Sequence, residues 1–308
     1  MRFVGHFHGW HDAVAPGAMS HYDGSLPAGI PAAIAAESIL LGADSPAPAL
    51  DALENRDDIA ALILEPSGAS WGQVPLPSGF LGALRDATRR HAVPLIFDEV
   101  ITGFRWSRGG AQARYGIAPD LTVLAKILAG GLPGGAVAGS AAIMDLLDPA
   151  AAKAARREKI GHQGTFNANP LCAAAGMTML SLVQSTDACE RAERTAGELR
   201  AGMRRILVEE GVPWGVFGEA SVFVIFPNPA NLPLDPATFD PLKLGFKGLK
   251  GARDAQLNNR LRIALLCYGV DIAGGPGGFV SAAHGPREVA QTLEAWRSAV
   301  RALKGVRG

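Results

Sequence analysis

The sequence has few cysteines, no excess of charge of either sign and no long hydrophobic run, and each shortage excludes something. Its 308 residues include only three cysteines, with no C-x-x-C spacing, which predicts a reduced, cytoplasmic protein. Lys plus Arg and Asp plus Glu number 29 each, so the bulk charge predicts neither a nucleic-acid nor a membrane-surface partner. No run approaches the roughly 18 apolar residues of a membrane span, and the first residues contain no signal-peptide core.

What is present is enough apolar sequence for a large core, since 48% of the residues are hydrophobic. Short apolar runs over 59–66, 93–97 and 120–126 predict strands, and the helical spacing of apolar residues over 79–92 predicts a helix between two of them. Short buried strands separated by helices are typical of an α/β fold with a mostly parallel sheet. Such sheets bind ligands at the carboxyl ends of their strands.

The second half of the sequence predicts a smaller unit. It has helical patterns over 169–183, 190–211 and 286–303, strand-like runs over 220–226 and 269–273, and a Pro-, Asp-, Lys- and Gly-rich stretch over 227–256 that predicts a long loop with little core. We therefore expect a large domain over residues 1–172, followed by a linking helix and a small α+β domain over residues 173–308.

Two acidic residues, Asp98 and Glu99, directly follow the apolar run 93–97. A carboxylate there is costly to bury unless a cation or a strong hydrogen-bond donor meets it. Lys126 ends the next predicted strand, where partial desolvation lowers the pKa of an amine and makes it more nucleophilic. The same pattern also fits a surface lysine beside the flexible glycine-rich loop that follows.

A lysine and a carboxylate at neighbouring strand ends suit a cofactor that has an aldehyde and a cationic ring nitrogen. Pyridoxal 5'-phosphate (PLP) is such a cofactor: the lysine bonds to the aldehyde, and the carboxylate pairs with the ring nitrogen. Thr165, in "GHQGTFNANP" before a helix, could offer its hydroxyl and backbone N–H to a phosphate. A threonine near a helix N-terminus is also common without any ligand.

The stretch "GHFHGWHD" (5–12) contains three histidines, but their spacing matches no known closed metal site, and we expect no metal. An aromatic–His pair at a strand end can instead stack on a flat cofactor ring. Glu65 in "EPSGAS" ends another predicted strand. It is either a polar active-site residue that meets the substrate or the start of a turn.

Taken together, "HFHGWHD", "LILEPSG", "LIFDEVITGFR", "GAQARYGIAPDLTVLAKILAGGLPGG", "GHQGTFNANPLCAAAG" and "GGFVSAAH" resemble the class III PLP-dependent aminotransferases of fold type I. The likeness is strongest to the glutamate-1-semialdehyde 2,1-aminomutases and their relatives, and it runs through nearly the whole chain in family order. It implies a large PLP-binding domain with a mostly parallel sheet flanked by helices, and a smaller C-terminal domain.

The resemblance also implies roles for single residues. Lys126 would hold the cofactor covalently and then act as the acid and base for proton transfer, and Asp98 would pair with the ring nitrogen. Val100 would pack on one face of the ring and Phe7 would stack on the other, with His8 beside it. Many relatives have Tyr where this chain has Phe7, so a hydroxyl is missing here.

Two further positions complete the expected site. Ser70 falls where the aminomutases often have Asn near the cofactor. Thr165 would bind the phosphate of the PLP held by a neighbouring subunit, which implies a homodimer with shared active sites and small-molecule amino donors and acceptors as substrates.

The sequence departs from the family pattern in two ways. The family has a phosphate-binding segment before "GHFHGWHD" that this sequence lacks, which predicts a truncated chain. The aminomutases usually have a glutamate just before the "GF" of "AGGPGGF" (273–279), and none is present. Three functions stay open: a class III aminotransferase, which the missing glutamate favours, a glutamate-1-semialdehyde 2,1-aminomutase making 5-aminolevulinate, and a truncated, non-catalytic remnant.

Overall fold

The computed structural model describes residues 1–18, 21–251 and 254–304, and the chain divides into two compact units. Unit 1 comprises Met1–Trp71 and Leu76–Thr186, and unit 2 comprises Gly72–Pro75 and Asp187–Gly308. The expected domain boundary after residue 172 stays a prediction; the two compact units meet in the sequence after Thr186. Within the described residues, none of the helices combines the length and apolar character that crossing a bilayer requires.

Unit 1 contains a sheet whose parallel strands end at one edge. Its strands are β1 (Arg2–Phe3), β2 (Leu40–Leu41), β3 (Leu62–Leu64), β4 (Leu95–Asp98), β5 (Leu121–Ala125) and β6 (Gly135–Gly139). The order in the main sheet is β3-β4-β5-β6, with β3, β4 and β5 parallel and β6 antiparallel to β5, while β1 and β2 form a separate parallel pair. The carboxyl ends of β4 and β5 therefore lie side by side.

Some helices of unit 1 contribute buried residues to one core with the apolar strands. The helices of the unit are α1 (Ala32–Ala36), α2 (Ala47–Asn55), the single turn α3 (Ala69–Gly72), α4 (Phe80–Arg90), α5 (Gly110–Tyr115), α6 (Ala141–Met144), α7 (Pro149–Ala154) and α8 (Pro170–Ser185), with 3-10 turns at Lys126–Ala129 and Asp145–Leu147. Those that contribute buried residues to this core are α2 and α4. The predicted helix over 79–92 is confirmed as α4. Its apolar side, with Phe80, Leu81 and Leu84, packs in one core with Leu95 and Phe97 of β4.

Unit 2 is a smaller α+β unit, as expected. It contains α9 (Ala188–Glu210), β7 (Gly215–Phe217), β8 (Val222–Phe226), α10 (Ala255–Cys267), β9 (Gly277–Phe279) and α11 (Pro286–Leu303), and its sheet is antiparallel in the order β7-β8-β9. All five residues of β8 are buried. Trp214 and Trp296 belong to the core of this unit, with ring centroids 6.0 Å apart.

One prediction for this unit is wrong and another holds only in part. The run 269–273 is not a strand: only Ala273 makes a bridge, to Gly277, and the third strand is β9. The stretch 227–256 contains a 3-10 turn (Pro241–Lys243) and a π-helical turn (Lys247–Gly251), and it contributes to the packing. Its Phe239 ring stacks on Phe226 at a centroid distance of 5.7 Å.

Candidate active site

A cavity of about 400 Å³ lies in unit 1 where β3, β4 and β5 end. Seven of the eight residues that the sequence predicts for the site line it: Phe7, His8, Glu65, Ser70, Asp98, Val100 and Lys126. They come from four segments of the chain, and three of these segments follow the parallel strands β3, β4 and β5, whose carboxyl ends lie at one edge. Thr165 is the exception and lies in an exposed turn outside this cavity.

Asp98 is the last residue of β4, and it is buried with both carboxylate oxygens engaged. His8 Nδ1 lies 2.7 Å from Asp98 Oδ2, and the backbone N–H of Val100 donates to Oδ1 at 3.1 Å. The expectation that a cation or strong donor meets this carboxylate is confirmed. The imidazole and the amide together fix the orientation of the carboxylate at the cavity wall.

Glu99, the neighbour of Asp98, points away from the cavity because successive residues of a strand alternate in direction. Its fully buried carboxylate accepts hydrogen bonds from the backbone N–H groups of Ala111 (2.6 Å) and Gln112 (3.2 Å) at the start of α5. The Thr102 hydroxyl donates to it at 2.8 Å. This second acidic residue therefore anchors a helix to the end of the strand.

Lys126 directly follows β5 and begins a 3-10 turn with a backbone φ of 51°. A left-handed conformation is strained for a residue with a side chain, and such strain is concentrated at functional sites. Desolvation of the amine is the largest influence on Lys126 and lowers its pKa, whereas the negative charges of Asp98 and Glu65 act in the opposite direction. A lowered pKa leaves more of the amine neutral, and therefore nucleophilic, near pH 7.

The remaining predicted residues frame the cavity. Phe7 is 45% exposed, and it lines the cavity together with Val100. Ser70 has a left-handed φ of 52°, and its hydroxyl donates to the carbonyl of Gly5 at 3.4 Å. Glu65 is buried, and its carboxylate accepts hydrogen bonds from backbone N–H groups. This geometry favours the interpretation of Glu65 as the start of a turn over that of a residue that meets the substrate.

Sequence reasoning missed several residues that also line the cavity, among them Trp71 and Thr102. Each lies close in sequence to a predicted residue, and Trp71 directly follows Ser70. This closeness in sequence was the available signal. The residue types of Trp71 and Thr102 do not by themselves indicate a functional site. The prediction of no metal site stays untested; within the described residues, no cluster of three or more His, Cys, Asp or Glu side chains is arranged to hold an ion.

The residues around the cavity suit PLP. The amine of Lys126 and the buried carboxylate of Asp98 suit an aldehyde on a cationic aromatic ring, and the partly exposed ring of Phe7 lines the same cavity. In addition, His8 Nε2 is buried with no hydrogen-bond partner among the described residues, which leaves one polar atom at the site for an unseen group.

Comparisons with known proteins agree with this chemistry. The glutamate-1-semialdehyde 2,1-aminomutase of Methanosarcina acetivorans is 35% identical over 305 residues, which are 96% of this chain and 66% of that protein. That of Ignicoccus hospitalis is 35% identical over 311 residues, covering 98% and 68%. The chain thus spans about two thirds of the length of these curated relatives.

Solved structures share the fold. An omega-transaminase from Sphaerobacter thermophilus matches with a TM-score of 0.84 at 30% identity, over 99% of this chain and 68% of that one. A structure described as a transaminase with PLP bound matches with a TM-score of 0.81 at 29% identity, over 98% and 67%. The sequence model of "Aminotransferase class-III" matches residues 3–231. The chain therefore belongs to the class III aminotransferase family, whose fold is that of the fold-type-I PLP enzymes.

Proposed function

We propose that this chain catalyses the PLP-dependent transfer of an amino group between an amine or amino acid and a carbonyl compound. The observation that carries the proposal is the meeting of Lys126 and the Asp98–His8 pair at one cavity. Family membership and the transaminase neighbours support it. The substrates are small molecules, since the cavity has a volume of about 400 Å³.

Lys126 is the proposed catalytic residue. When bound, PLP supplies an aldehyde that bonds to amines and a ring that withdraws electrons from the bonded carbon. The lowered pKa of Lys126 gives this chain a neutral amine to hold that aldehyde. When it is not bonded to the aldehyde, the Lys126 amine would take a proton from one carbon and return it to another.

Asp98 and the aromatic wall are proposed to orient the ring. The Asp98 carboxylate, fixed by His8 Nδ1 and the Val100 N–H, would keep a proton on the ring nitrogen. Phe7 and Val100 would pack against the two faces of the ring, and Ser70 would lie near its edge. These residues hold and orient, whereas Lys126 moves the proton.

We also propose a homodimer located in the cytoplasm. Helix α8 buries only Gly176 and Val183, and it exposes large apolar side chains, among them Leu171, Met177 and Leu182. Thr165 lies in the exposed turn just before this helix, outside the cavity of its own chain. That position supports the proposal that Thr165 completes the phosphate site of a second copy.

The direct test is to incubate the chain with PLP, desalt it and record its visible spectrum before and after borohydride reduction. A retained absorbance band, and a reduced adduct located on Lys126 by peptide mass spectrometry, are expected. Lys126→Ala should lose both, while Lys153→Ala, a change in helix α7, should keep both. An adduct that Lys126→Ala leaves unchanged in amount would contradict the proposal.

A second candidate is the aminomutase, because the two curated relatives named above are both glutamate-1-semialdehyde 2,1-aminomutases. An assay for 5-aminolevulinate from glutamate-1-semialdehyde separates it from a general aminotransferase, which needs a separate amino donor. The absence of an acid from "AGGPGGF" favours the aminotransferase. Turnover with any amino donor would exclude the remaining alternative, a non-catalytic remnant.

A further inference from the structure

Glu65 is buried at the cavity, 6% exposed, yet both of its carboxylate oxygens are taken up by the protein itself. Oε1 accepts the backbone N–H of Phe7 at 2.8 Å and that of Ser70 at 3.1 Å, and Oε2 accepts the N–H of Trp71 at 2.9 Å. One side chain therefore holds three backbone amides. These belong to two segments that are remote in sequence, and each segment contributes a ring or a hydroxyl to the cavity.

Two further hydrogen bonds join the same segments. The backbone N–H of Glu65 donates to His6 Nδ1 at 2.9 Å, and the Ser70 hydroxyl donates to the Gly5 carbonyl at 3.4 Å. Neither of these two bonds involves the Phe7 amide, which donates to the Glu65 carboxylate. Ser70 and Trp71 are consecutive residues with φ of 52° and 55°, a conformation that non-glycine residues hold only when their surroundings impose it.

The electrostatics agree with this geometry. Burial is the largest influence on Glu65 and raises the pKa of its carboxyl group, while the N–H groups of Trp71 and Phe7 act against that shift by stabilising the anion. A nearly buried carboxylate that accepts three backbone N–H groups has a structural role. Both of its oxygens already accept backbone N–H groups, two on Oε1 and one on Oε2, so most of its hydrogen-bonding capacity is used within the protein.

We propose that Glu65 is a positioning residue for the cofactor site: its carboxylate holds the Phe7 ring and the Ser70–Trp71 turn in place, and it does not contact the substrate. This inference rests on the proposed function, which identifies the cavity as the PLP site. It goes beyond that function by assigning Glu65 an action through Phe7 and the turn.

The first experiment uses the protein without PLP. Hydrogen exchange of the Phe7, Ser70 and Trp71 amides is followed by NMR in the wild type, in Glu65→Gln and in the control Glu54→Gln, whose carboxylate is exposed and near His91. A glutamine side chain has only one acceptor oxygen. It can therefore replace the hydrogen bonds of Oε1 or the hydrogen bond of Oε2, but not both. At least one of the three amides should then exchange about tenfold faster or more, whereas Glu54→Gln should change none.

The second experiment is a double-mutant cycle on the dissociation constant for PLP. Glu65→Gln should weaken binding by about tenfold, the effect of one lost hydrogen bond to a charged group, and Phe7→Leu should weaken binding because it removes the aromatic ring. The double variant should weaken it by clearly less than the product of the two, because both act through the ring. Fully independent effects, or unchanged exchange of all three amides in Glu65→Gln, would overturn the proposal.

The outcomes keep this inference separate from the proposed function. If the wild type binds no PLP but the exchange pattern is as expected, the proposed function fails and the positioning of Phe7 by Glu65 stands. If Glu65→Gln does not fold, the wild type alone decides: a Phe7 amide that exchanges as fast as an unprotected loop amide contradicts the hydrogen bond to Glu65.

Discussion

Lys126 combines two unusual properties, a left-handed backbone and an amine whose pKa is lowered by desolvation. Its neutral form should therefore appear at lower pH than that of free lysine. Competitive labelling with acetic anhydride, read by peptide mass spectrometry in the protein without PLP, should give a midpoint below that of an N-acetyl-lysine standard. A midpoint equal to or above the standard would contradict the desolvated setting of the amine.

The lowered pKa of Lys126 also makes the free energy of unfolding depend on pH. Because the pKa of Lys126 is lower in the folded chain than in the unfolded chain, the unfolded chain binds more protons between the two values. This contribution to the free energy of unfolding therefore rises with pH across that window. Asp98→Asn removes a charge that raises the pKa, so it should move the labelling midpoint of Lys126 to still lower pH.

Glu99 gives a prediction about stability alone. Glu99→Ala leaves the Ala111 and Gln112 amides and the Thr102 hydroxyl without their acceptor, and all lie at a fully buried carboxylate. The expected loss in the free energy of unfolding is about 3 kcal/mol or more, since each unsatisfied buried group costs about 1–3 kcal/mol. Urea unfolding measures it, with the exposed Glu54→Ala as a control expected within about 0.5 kcal/mol of wild type.

At the scale of elements, helix α8 lies against the 3-10 turn that begins at Lys126. A Cβ added to Gly176 of this helix would lie 2.8 Å from the Leu128 carbonyl oxygen, whereas one added to Gly82 of α4 would meet nothing within 4 Å. Gly176→Ala should therefore destabilise unit 1 by about 1–3 kcal/mol through overpacking. Gly82→Ala should stabilise it by up to about 1 kcal/mol through helix propensity.

Urea unfolding of the two glycine variants tests this packing, and PLP retention gives a second reading. Because Leu128 belongs to the turn that carries Lys126, Gly176→Ala should also reduce the amount of PLP retained after desalting, whereas Gly82→Ala should not. Equal stabilisation by both substitutions would mean that α8 does not press on the turn.

Elements with a strong apolar period were predictable from the sequence, and those built on glycine were not. Helix α4 and strand β8 follow their patterns, because burial on a fixed face is what those patterns encode. Strand β9 was missed since it is formed by "GGF", in which a Cβ at Gly278 would lie 2.8 Å from the Phe223 ring. Such a strand depends on a close approach from its neighbour, which local propensity does not record.

At the scale of the molecule, the sequence predicted which residues line the same cavity more reliably than it predicted the hydrogen bonds that position them. Lys126 and Asp98 were placed together because parallel strands share one carboxyl edge. The network of amides around Glu65 was out of reach of the sequence patterns, since it joins Phe7 to a residue 58 positions later and uses backbone groups that every non-proline residue has. The role of Thr165 depends on a second chain and stays a prediction.

The proposed homodimer gives the last prediction. If the apolar side of α8 faces a second copy, a charge placed there must lose its water or break the contact, and either outcome weakens association. Met177, which is 73% exposed, is a suitable site. Met177→Glu should raise the dimer dissociation constant by about tenfold or more in sedimentation equilibrium. Val208→Glu, on the charged outer side of α9, should leave it unchanged. A wild-type chain that is monomeric at all concentrations would contradict the shared site, and with it the role of Thr165.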